Sequence, residues 1–376
     1  MRLLWISGRD ISTDLARFTE LGLASALETM GVRITMISPG INIDSPFNHI
    51  AIRKIRFPGL ETLSASREIY RRLSSDSSLM GDADFLLVDW RFVKPLRRIL
   101  KNSTTKWAII DRGPPATSGT KGGRIRRELL RNLQKRYWNA AWRIASQFSV
   151  GGFVVSKEHG DLVNSVSGGG MRVYLLPAGT FPNRFMNLKT DPSIHLYLAY
   201  AGRVDKKRGL GNIDDLSTAL SGFGLSHSIS IIGEGDLSSE FASQSGGDSN
   251  IAYLGPLEHE ETIRLLAKQH VGILPMPDVA IWRISSPIKL AEYVASGLAV
   301  IGPKHSGNIL DGGGEWSLLS ENADWTQDCA SILARIIRDG NWQEEIVERA
   351  LQASENYHWD VIAGRMVRNI EEMLLQ

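Results

Sequence analysis

Twice along this chain, short apolar runs that stop at glycine or proline alternate with segments whose apolar residues recur at helical spacing. In the first half, residues 2–7 form such a run before Gly8, and residues 15–30 carry a helical pattern that ends at Gly31. Residues 32–38 form a second run closed by Pro39 and Gly40, and further runs lie at residues 85–89, 107–111, 152–156 and 172–177. Between residues 178 and 193 the pattern breaks at Gly179, Pro182 and Pro192, and then it restarts. Strand-like runs follow at residues 194–200, 228–233, 250–254, 271–275 and 299–302, with helical patterns at 211–220, 260–269 and 288–296. Strands that alternate with helices pair in parallel and carry the helices on their faces. The expected fold class is α/β, with two doubly wound domains. In such sheets ligands bind at the carboxyl ends of the strands, which predicts a site opening onto a cleft between the domains.

A length of 376 residues supplies two domains, and 43% apolar with 22% charged residues excludes a largely disordered or fibrous chain. No apolar run approaches the roughly 18 residues of a membrane span. Residues 1–7 are too short a stretch for a secretory signal. Cys329 is the single cysteine, so neither an internal disulfide nor a cysteine-built metal site is available. A reducing compartment, the cytoplasm, is expected. The net charge of +2 conceals an asymmetry: residues 1–187 hold 28 Lys and Arg against 15 Asp and Glu, and residues 188–376 hold 15 against 26. The basic half suits nucleic acid, an anionic membrane surface or a phosphorylated substrate, and charge alone does not choose among them.

The most informative segment is Ser285-Ser286-Pro287-Ile288-Lys289-Leu290-Ala291-Glu292-Tyr293-Val294-Ala295-Ser296-Gly297. Ser286 suits an N-cap and Pro287 a first helical position, so a helix should begin there. A helix N-terminus presents free N–H groups and partial positive charge, which favours a phosphate. Lys289 in the first turn opposes the helix dipole and fits better beside an anion, while Glu292 shares its face. A cation near phosphate and a carboxylate near sugar hydroxyls would suit a nucleotide; the alternative is an ordinary capped helix with an exposed Lys/Glu pair. A second segment, Gly202-Arg203-Val204-Asp205-Lys206-Lys207-Arg208-Gly209, sets four cations between glycines. It reads either as a diphosphate cradle or as a solvated basic turn. Gly233-Glu234-Gly235 is a third glycine turn at a strand end, without the third glycine of a dinucleotide fingerprint.

In order and separation these segments, with Tyr253-Leu254-Gly255-Pro256-Leu257 and the terminal Tyr357-His358-Trp359-Asp360-Val361-Ile362-Ala363, resemble the donor-binding domain of GT-B glycosyltransferases of family four, in its Ser-Pro-x-Lys-Leu-x-Glu-Tyr subgroup. The resemblance covers nearly all of residues 195–376 and extends more loosely to the first half. It implies a GT-B architecture: a Rossmann-like acceptor-side domain over residues 1–185, a nucleotide-sugar donor domain over 186–357, and a C-terminal helix over 358–376 crossing back to the first domain. It implies that Arg203 and Arg208, or Lys207 in place of Arg208, neutralise the departing donor diphosphate. Glu292 matches the glutamate that binds the nucleotide ribose, and the Ser286-Pro287 turn supplies amides to the phosphates. Lys289, Gly233 and Gly235 fall in the same donor region, the Leu257 backbone would meet the nucleobase, and Gly8 would let its loop approach the diphosphate. The family transfers sugars with retention of configuration, and neither a metal nor another cofactor is expected.

Two positions depart from the family pattern. Ile284 stands where a second glutamate often faces the donor sugar, with Asp278 a weak substitute, and Asp111 or Arg112 stands where the family often places a histidine near the reacting sugar. Either could serve catalysis or cap a turn. Residues 120–146 form a basic amphipathic stretch: Arg124, Arg126, Arg127, Arg131, Lys135, Arg136 and Arg143 face a single acid, Glu128. An apolar stripe at helical spacing includes Leu129, Leu133 and Trp138, and Gly119, Gly122 and Gly123 ahead of it predict a mobile loop. This stretch reads either as a helix docking on anionic lipid beside a lipid-linked acceptor, with Trp138 and Trp142 at the membrane interface, or as a helix packed on the sheet. No nucleic-acid motif accompanies the charge. The expected function is transfer of a sugar from a nucleotide-sugar to a glycan or lipid-linked acceptor, in polysaccharide or glycoconjugate biosynthesis, at the cytoplasmic face of the membrane. The alternatives are a transferase of a small soluble acceptor and a GT-B-shaped nucleotide-binding scaffold.

Overall fold

The structure is a computed structural model, and it describes residues 1–14, 16–53, 61–113, 124–185, 191–245, 249–310, 313–340 and 342–375, without the side chains of residues 124–127 and 343. The chain divides into two compact units, Met1–Pro177 with Trp359–Gln376, and Ala178–His358.

The first unit holds strands β1 (Arg2–Ile6), β2 (Arg33–Pro39), β3 (Asn48–Ile52), β4 (Phe85–Asp89), β5 (Trp107–Ile110), β6 (Gly151–Val154) and β7 (Val173–Leu175). Its helices are α1 (Phe18–Thr29), α2 (Glu61–Ser75), α3 (Ser78–Gly81), α4 (Trp90–Val93), α5 (Arg97–Lys101), α6 (Arg124–Phe148) and α7 (Lys157–Ser167). The strands form one parallel sheet in the order β3-β2-β1-β4-β5-β6-β7, with Leu3 opposite both Ile34 and Phe85. Every residue of β4, β5 and β6 is buried, as helices on both faces of a parallel sheet require. The order reverses between β1 and β4, so the loops after these two strands diverge and leave a crevice at their carboxyl ends.

The second unit holds β8 (Leu196–Ala201), β9 (His227–Ile232), β10 (Ile251–Gly255), β11 (Val271–Ile273), β12 (Ala299–Pro303) and β13 (Ser317–Ser320). Its helices are α8 (Ile213–Gly222), α9 (Ser238–Gln244), α10 (His259–Leu266), α11 (Ala280–Arg283), α12 (Ile288–Ala295), α13 (Trp325–Asp339) and α14 (Arg349–Ser354). Its parallel sheet runs β10-β9-β8-β11-β12-β13 and reverses between β8 and β11. Residues after Pro177 belong to this unit because its groups hold them. The Ala178 amide donates to Ser286 Oγ, the Thr180 amide to the Tyr357 carbonyl, and Asn183 Nδ2 to Ser296 Oγ.

The tail forms α15 (Trp359–Leu374), which returns to the first unit and packs on α1. Two strands escape the sequence pattern. The edge strand β3 opens on Asn48 and His49 and is only partly buried, and β13 is two leucines between serines. On α1, the space beside Gly22 is filled by the Trp359 indole, which is 2% exposed. An added methyl would overlap that ring, so Gly22→Ala is expected to cost about 1–3 kcal/mol through overpacking, in spite of alanine's better helix propensity. Urea denaturation checks this, and an unchanged midpoint would mean that the ring shifts freely.

Candidate functional site

The carboxyl edge of the second sheet gathers the charged segments. After β8 the chain turns at Gly202, whose φ of 143° only glycine holds readily, and Arg203 to Arg208 follow. Asp205, buried to 5% exposure, organises this loop. Arg203 Nε lies 3.1 Å from Asp205 Oδ2, and Lys207 Nζ and Arg208 Nε each lie 4.0 Å from the same oxygen. Burial raises the Asp205 carboxyl, but the Arg203 guanidinium outweighs it and holds the group below the usual range. Arg208 also sits 4.9 Å over the Trp282 ring, and its buried Nε has no hydrogen-bond acceptor among the described residues. Three cations share one carboxylate, so the loop keeps positive charge in excess.

Lys289 lies beneath this loop, 6% exposed, with Nζ donating to the Tyr200 hydroxyl at 3.1 Å and 4.2 Å from the Tyr200 ring centre. The Tyr200 hydroxyl in turn donates to the Arg203 carbonyl at 2.6 Å. Burial, reinforced by Arg208 and opposed by Glu292, pushes the Lys289 amine well below its ordinary value. One turn further along α12, Glu292 is 7% exposed, and His259 Nε2 lies 2.9 Å from its Oε1. Lys289 and Glu292 therefore share a face, but both are buried, and the reading of an exposed pair is overturned.

The helix start also differs in detail from the sequence expectation. Pro287 occupies the N-cap position of α12, without a side-chain cap, and the Ser286 hydroxyl accepts from the Ala178 amide instead. The first-turn amides of α12 carry the unsatisfied donors that any helix start leaves. The glycines have a packing explanation of their own. A Cβ at Gly233 would strike the Gly202 carbonyl, and one at Gly235 the Val204 carbonyl and Asp205. Leu257 is half-buried against the core of this unit, two residues past β10. Asp278, the substitute for a second glutamate, pairs with Arg283.

At the corresponding reversal of the first sheet, Gly8 packs against Asp89 and Arg91, which occupy the place of its missing side chain. The Ser7 hydroxyl donates to Glu20 at 2.5 Å, and Arg9 lies 3.5 Å from Glu20 and 3.2 Å from Asp14. Burial raises both Glu20 and Asp89, and Arg9 and Arg91 respectively offset only part of it. Arg112 donates to the Leu176 carbonyl at 2.7 Å, and burial pushes its guanidinium down to about 10.

Asp111 is not an open catalytic group. It is fully buried, and its Oδ2 accepts from Trp138 Nε1 at 2.5 Å and Trp142 Nε1 at 3.0 Å, with His159 Nε2 at 3.3 Å. Its Oδ1 accepts from the Gly113 amide at 3.0 Å. Trp138 and Trp142, 2% and 0% exposed, are thus held in the core and do not face a membrane. Arg124, Arg126 and Arg127 fall on the first turns of α6, and their side chains lie outside the described residues, as do Gly119, Gly122 and Gly123 altogether. Arg131 is exposed, as are Leu129 at 59% and Leu133 at 51%. Among the described residues no group of His, Cys, Asp and Glu is arranged to hold a metal, and no helix is long and apolar enough to cross a membrane.

Sequence reasoning missed Tyr200, Asp205, His259 and Trp282 in the second unit, and Glu20 and Asp89 in the first. Asp205 had a signal, a lone acid inside a basic run. His259 had none, because 33 residues separate it from Glu292.

No family model matches the chain, and no curated protein matches it in sequence. In fold it is similar to sucrose-phosphate synthase from Thermosynechococcus elongatus, with a TM-score of 0.74 at 14% identity over 100% of this chain and 99% of that one. It is similar to Anabaena HepE in complex with UDP and glucose, with a TM-score of 0.70 at 14% identity over 99% and 100% of the two chains. It also resembles WaaG, a glycosyltransferase involved in lipopolysaccharide biosynthesis, at 0.66 and 12% over 98% and 99%. The fold is that of the GT-B glycosyltransferases.

The Asp111 cluster yields a stability prediction. Burial raises its carboxyl, but His159, Trp138 and Trp142 outweigh it and hold the group below the usual aspartate range. A carboxyl lowered in this way stabilises the fold above its unfolded value of about 4, and that contribution is lost as pH falls through the lowered native value. Asp111→Ala is expected to cost about 3–5 kcal/mol at neutral pH and to flatten the acid limb of the stability curve. Urea titrations at a series of pH values check both, and a neutral substitution would return Asp111 to the list of catalytic candidates.

Proposed function

We propose that this protein is a retaining glycosyltransferase that moves a sugar from a nucleotide-sugar to a glycan or lipid-linked acceptor in polysaccharide or glycoconjugate assembly, working as a peripheral protein on the inner face of the membrane. The observation that carries the reading is the convergence of Arg203, Lys207, Arg208 and Lys289 at the β8–β11 reversal, with Glu292 one turn beyond. A leaving nucleoside diphosphate develops negative charge as the bond from the sugar to its phosphate oxygen breaks. Fixed cations and the α12 amides stabilise that charge most where water is excluded. Glu292, held by His259, is the acceptor for ribose hydroxyls, and Leu257 supplies backbone to the base. The acceptor oxygen bonds to the sugar on the face the diphosphate leaves, and its proton passes to a departing phosphate oxygen, so no separate base is required. The chemistry invokes neither a metal nor another cofactor.

The HepE structures hold UDP, which makes uridine nucleotides the first to try. In a thermal-shift panel of nucleotides and nucleotide-sugars, one nucleoside diphosphate is expected to raise the melting temperature of the wild type, and Glu292→Ala to abolish that shift. A flat response across the panel would remove the donor site and leave a scaffold.

Lys289 gives a second test. A diphosphate raises the lowered pKa of this amine, so binding takes up a proton over the pH window between the value in the free protein and the higher value in the complex. Affinity therefore falls as pH rises across that window. Calorimetry in buffers of different ionisation enthalpy should register proton uptake in the wild type and none in Lys289→Met; equal uptake in both would place the anion elsewhere.

A further inference from the structure

Helices α5 and α6 of the first unit border an open groove of about 460 Å³, lined by none of the carboxyl-edge residues described above. Four cations line it, Lys94, Arg97, Arg136 and Arg143, with Ala140 and Ile144 among its apolar lining. No carboxylate among the described residues forms an ion pair with any of the four. Aromatic rings and a carbonyl hold three of them instead. Lys94 Nζ lies 5.2 Å from the Tyr137 ring centre, Arg97 lies 5.8 Å from that of Phe148, and Arg143 Nε donates to the Val166 carbonyl at 3.3 Å. Ring faces position a cation without cancelling its charge, so the groove keeps its full positive potential for an incoming anion.

The face of α6 that lines the groove continues beyond it. Leu129, Leu133, Arg136, Ala140 and Arg143 follow one another at intervals of three and four residues, so they form one stripe along the helix. The stripe runs from two exposed leucines, 59% and 51% accessible, into the cationic groove. A free phosphate would use only the cations. A single-stranded nucleic acid would need open ring faces, and those of Tyr137 and Phe148 are covered by Lys94, Arg97 and Lys101. An anionic amphiphile uses both halves of the stripe.

We infer that the α5–α6 groove is a headgroup site for an anionic phospholipid, the phosphodiester lying among Lys94, Arg97, Arg136 and Arg143 and the acyl chains running towards Leu133 and Leu129. The inference rests on the membrane part of the proposed function and narrows it from a charged surface to a stoichiometric site. It differs from diffuse attraction in one measurable respect: cations in the groove count for more than equally exposed cations outside it.

The test uses the full chain in co-sedimentation with phosphatidylcholine vesicles, with and without phosphatidylglycerol. Arg97→Gln/Arg143→Gln removes two groove charges, and Arg131→Gln/Lys135→Gln removes two from elsewhere on α6. Because it deletes two charge-assisted hydrogen bonds to the phosphodiester, the groove pair is expected to weaken binding to phosphatidylglycerol vesicles about ten-fold or more, and the second pair several-fold less. Leu129→Ser/Leu133→Ser should also weaken vesicle binding, while leaving saturable binding of monomeric short-chain phosphatidylglycerol intact. Equal losses in the two charge pairs would overturn the site while the membrane reading stands. Wild type that ignores phosphatidylglycerol would overturn both. Competition by inorganic phosphate as strong as that by the short-chain lipid would overturn the lipid assignment. Retained melting temperatures identify variants whose fold is intact, and Lys94→Gln/Arg136→Gln replaces the groove pair if that pair unfolds.

Discussion

Parallel strand pairing is the constraint from which the candidate site follows. Within each sheet every strand delivers the chain at the same edge of that sheet, so loops that are distant in sequence crowd together there. In the second unit the crowding is severe enough that backbone lies where side chains would otherwise begin. A Cβ at Gly209 would meet the Pro275 carbonyl, one at Gly233 the Gly202 carbonyl, and one at Gly302 the Leu274 carbonyl, and all three glycines have positive φ. The glycines that read as phosphate-binding signals are thus already required by the packing of loop on loop. What marks the edge as a site is the charge that this packing fixes in place.

That charge is arranged against its own electrostatic preference. Lys289 is an amine taken out of water beside Arg208, with Glu292 the carboxylate that favours its protonation. Such a group costs stability in the empty protein, and a buried residue of this kind in a crevice points to a bound counter-charge. Asp205 plays the complementary part. It holds Arg203 closely and Lys207 and Arg208 loosely, which spaces three cations around one point and limits their mutual repulsion. On the proposed reading, a diphosphate meets cations that are already spaced, so little side-chain entropy remains to be lost on binding. On the same reading the His259–Glu292 pair is an equivalent device for a ribose, because a carboxylate fixed from one side offers its other oxygen in a defined direction.

The alternation of apolar runs and helical patterns was enough to read the fold class, because a fully buried parallel strand announces itself in sequence. Phe85–Asp89 is the plainest example, and both its bounds are read correctly. Strands β3 and β13 were not legible, since both lie at sheet edges and are diluted with polar residues. For the candidate site, the basic turn after a strand picked out Arg203 and Arg208, a helix start picked out Lys289 and Glu292, and the structure brings these four to one edge. Their partners depend on contacts between segments far apart in the chain, such as Tyr200 with Lys289 across 89 residues. Spacing also misled: Ser286 has the chemistry of a cap but serves the Ala178 amide, and Asp111 has the position of a catalytic group but serves two indoles.

Helix α6 shows why the two readings of the basic stretch did not exclude each other. A 25-residue helix is about 37 Å long at 1.5 Å per residue, longer than the strands it crosses. Its second half is pinned to the sheet by Trp138, Ala141, Trp142 and Ala145, all buried, and by the bond from the two indoles to Asp111. From Glu128 to Arg136 every residue but Leu130 is exposed, so its leucines have no sheet to cover them. One amphipathic pattern therefore runs through a buried stretch and an exposed one, and sequence periodicity cannot mark the point where the sheet ends. The indoles that looked like interface anchors are the residues that hold the helix down. The exposed leucines are free of that duty, and on the proposed reading a surface that is apolar and anionic at once would cover them together with the cations beside them.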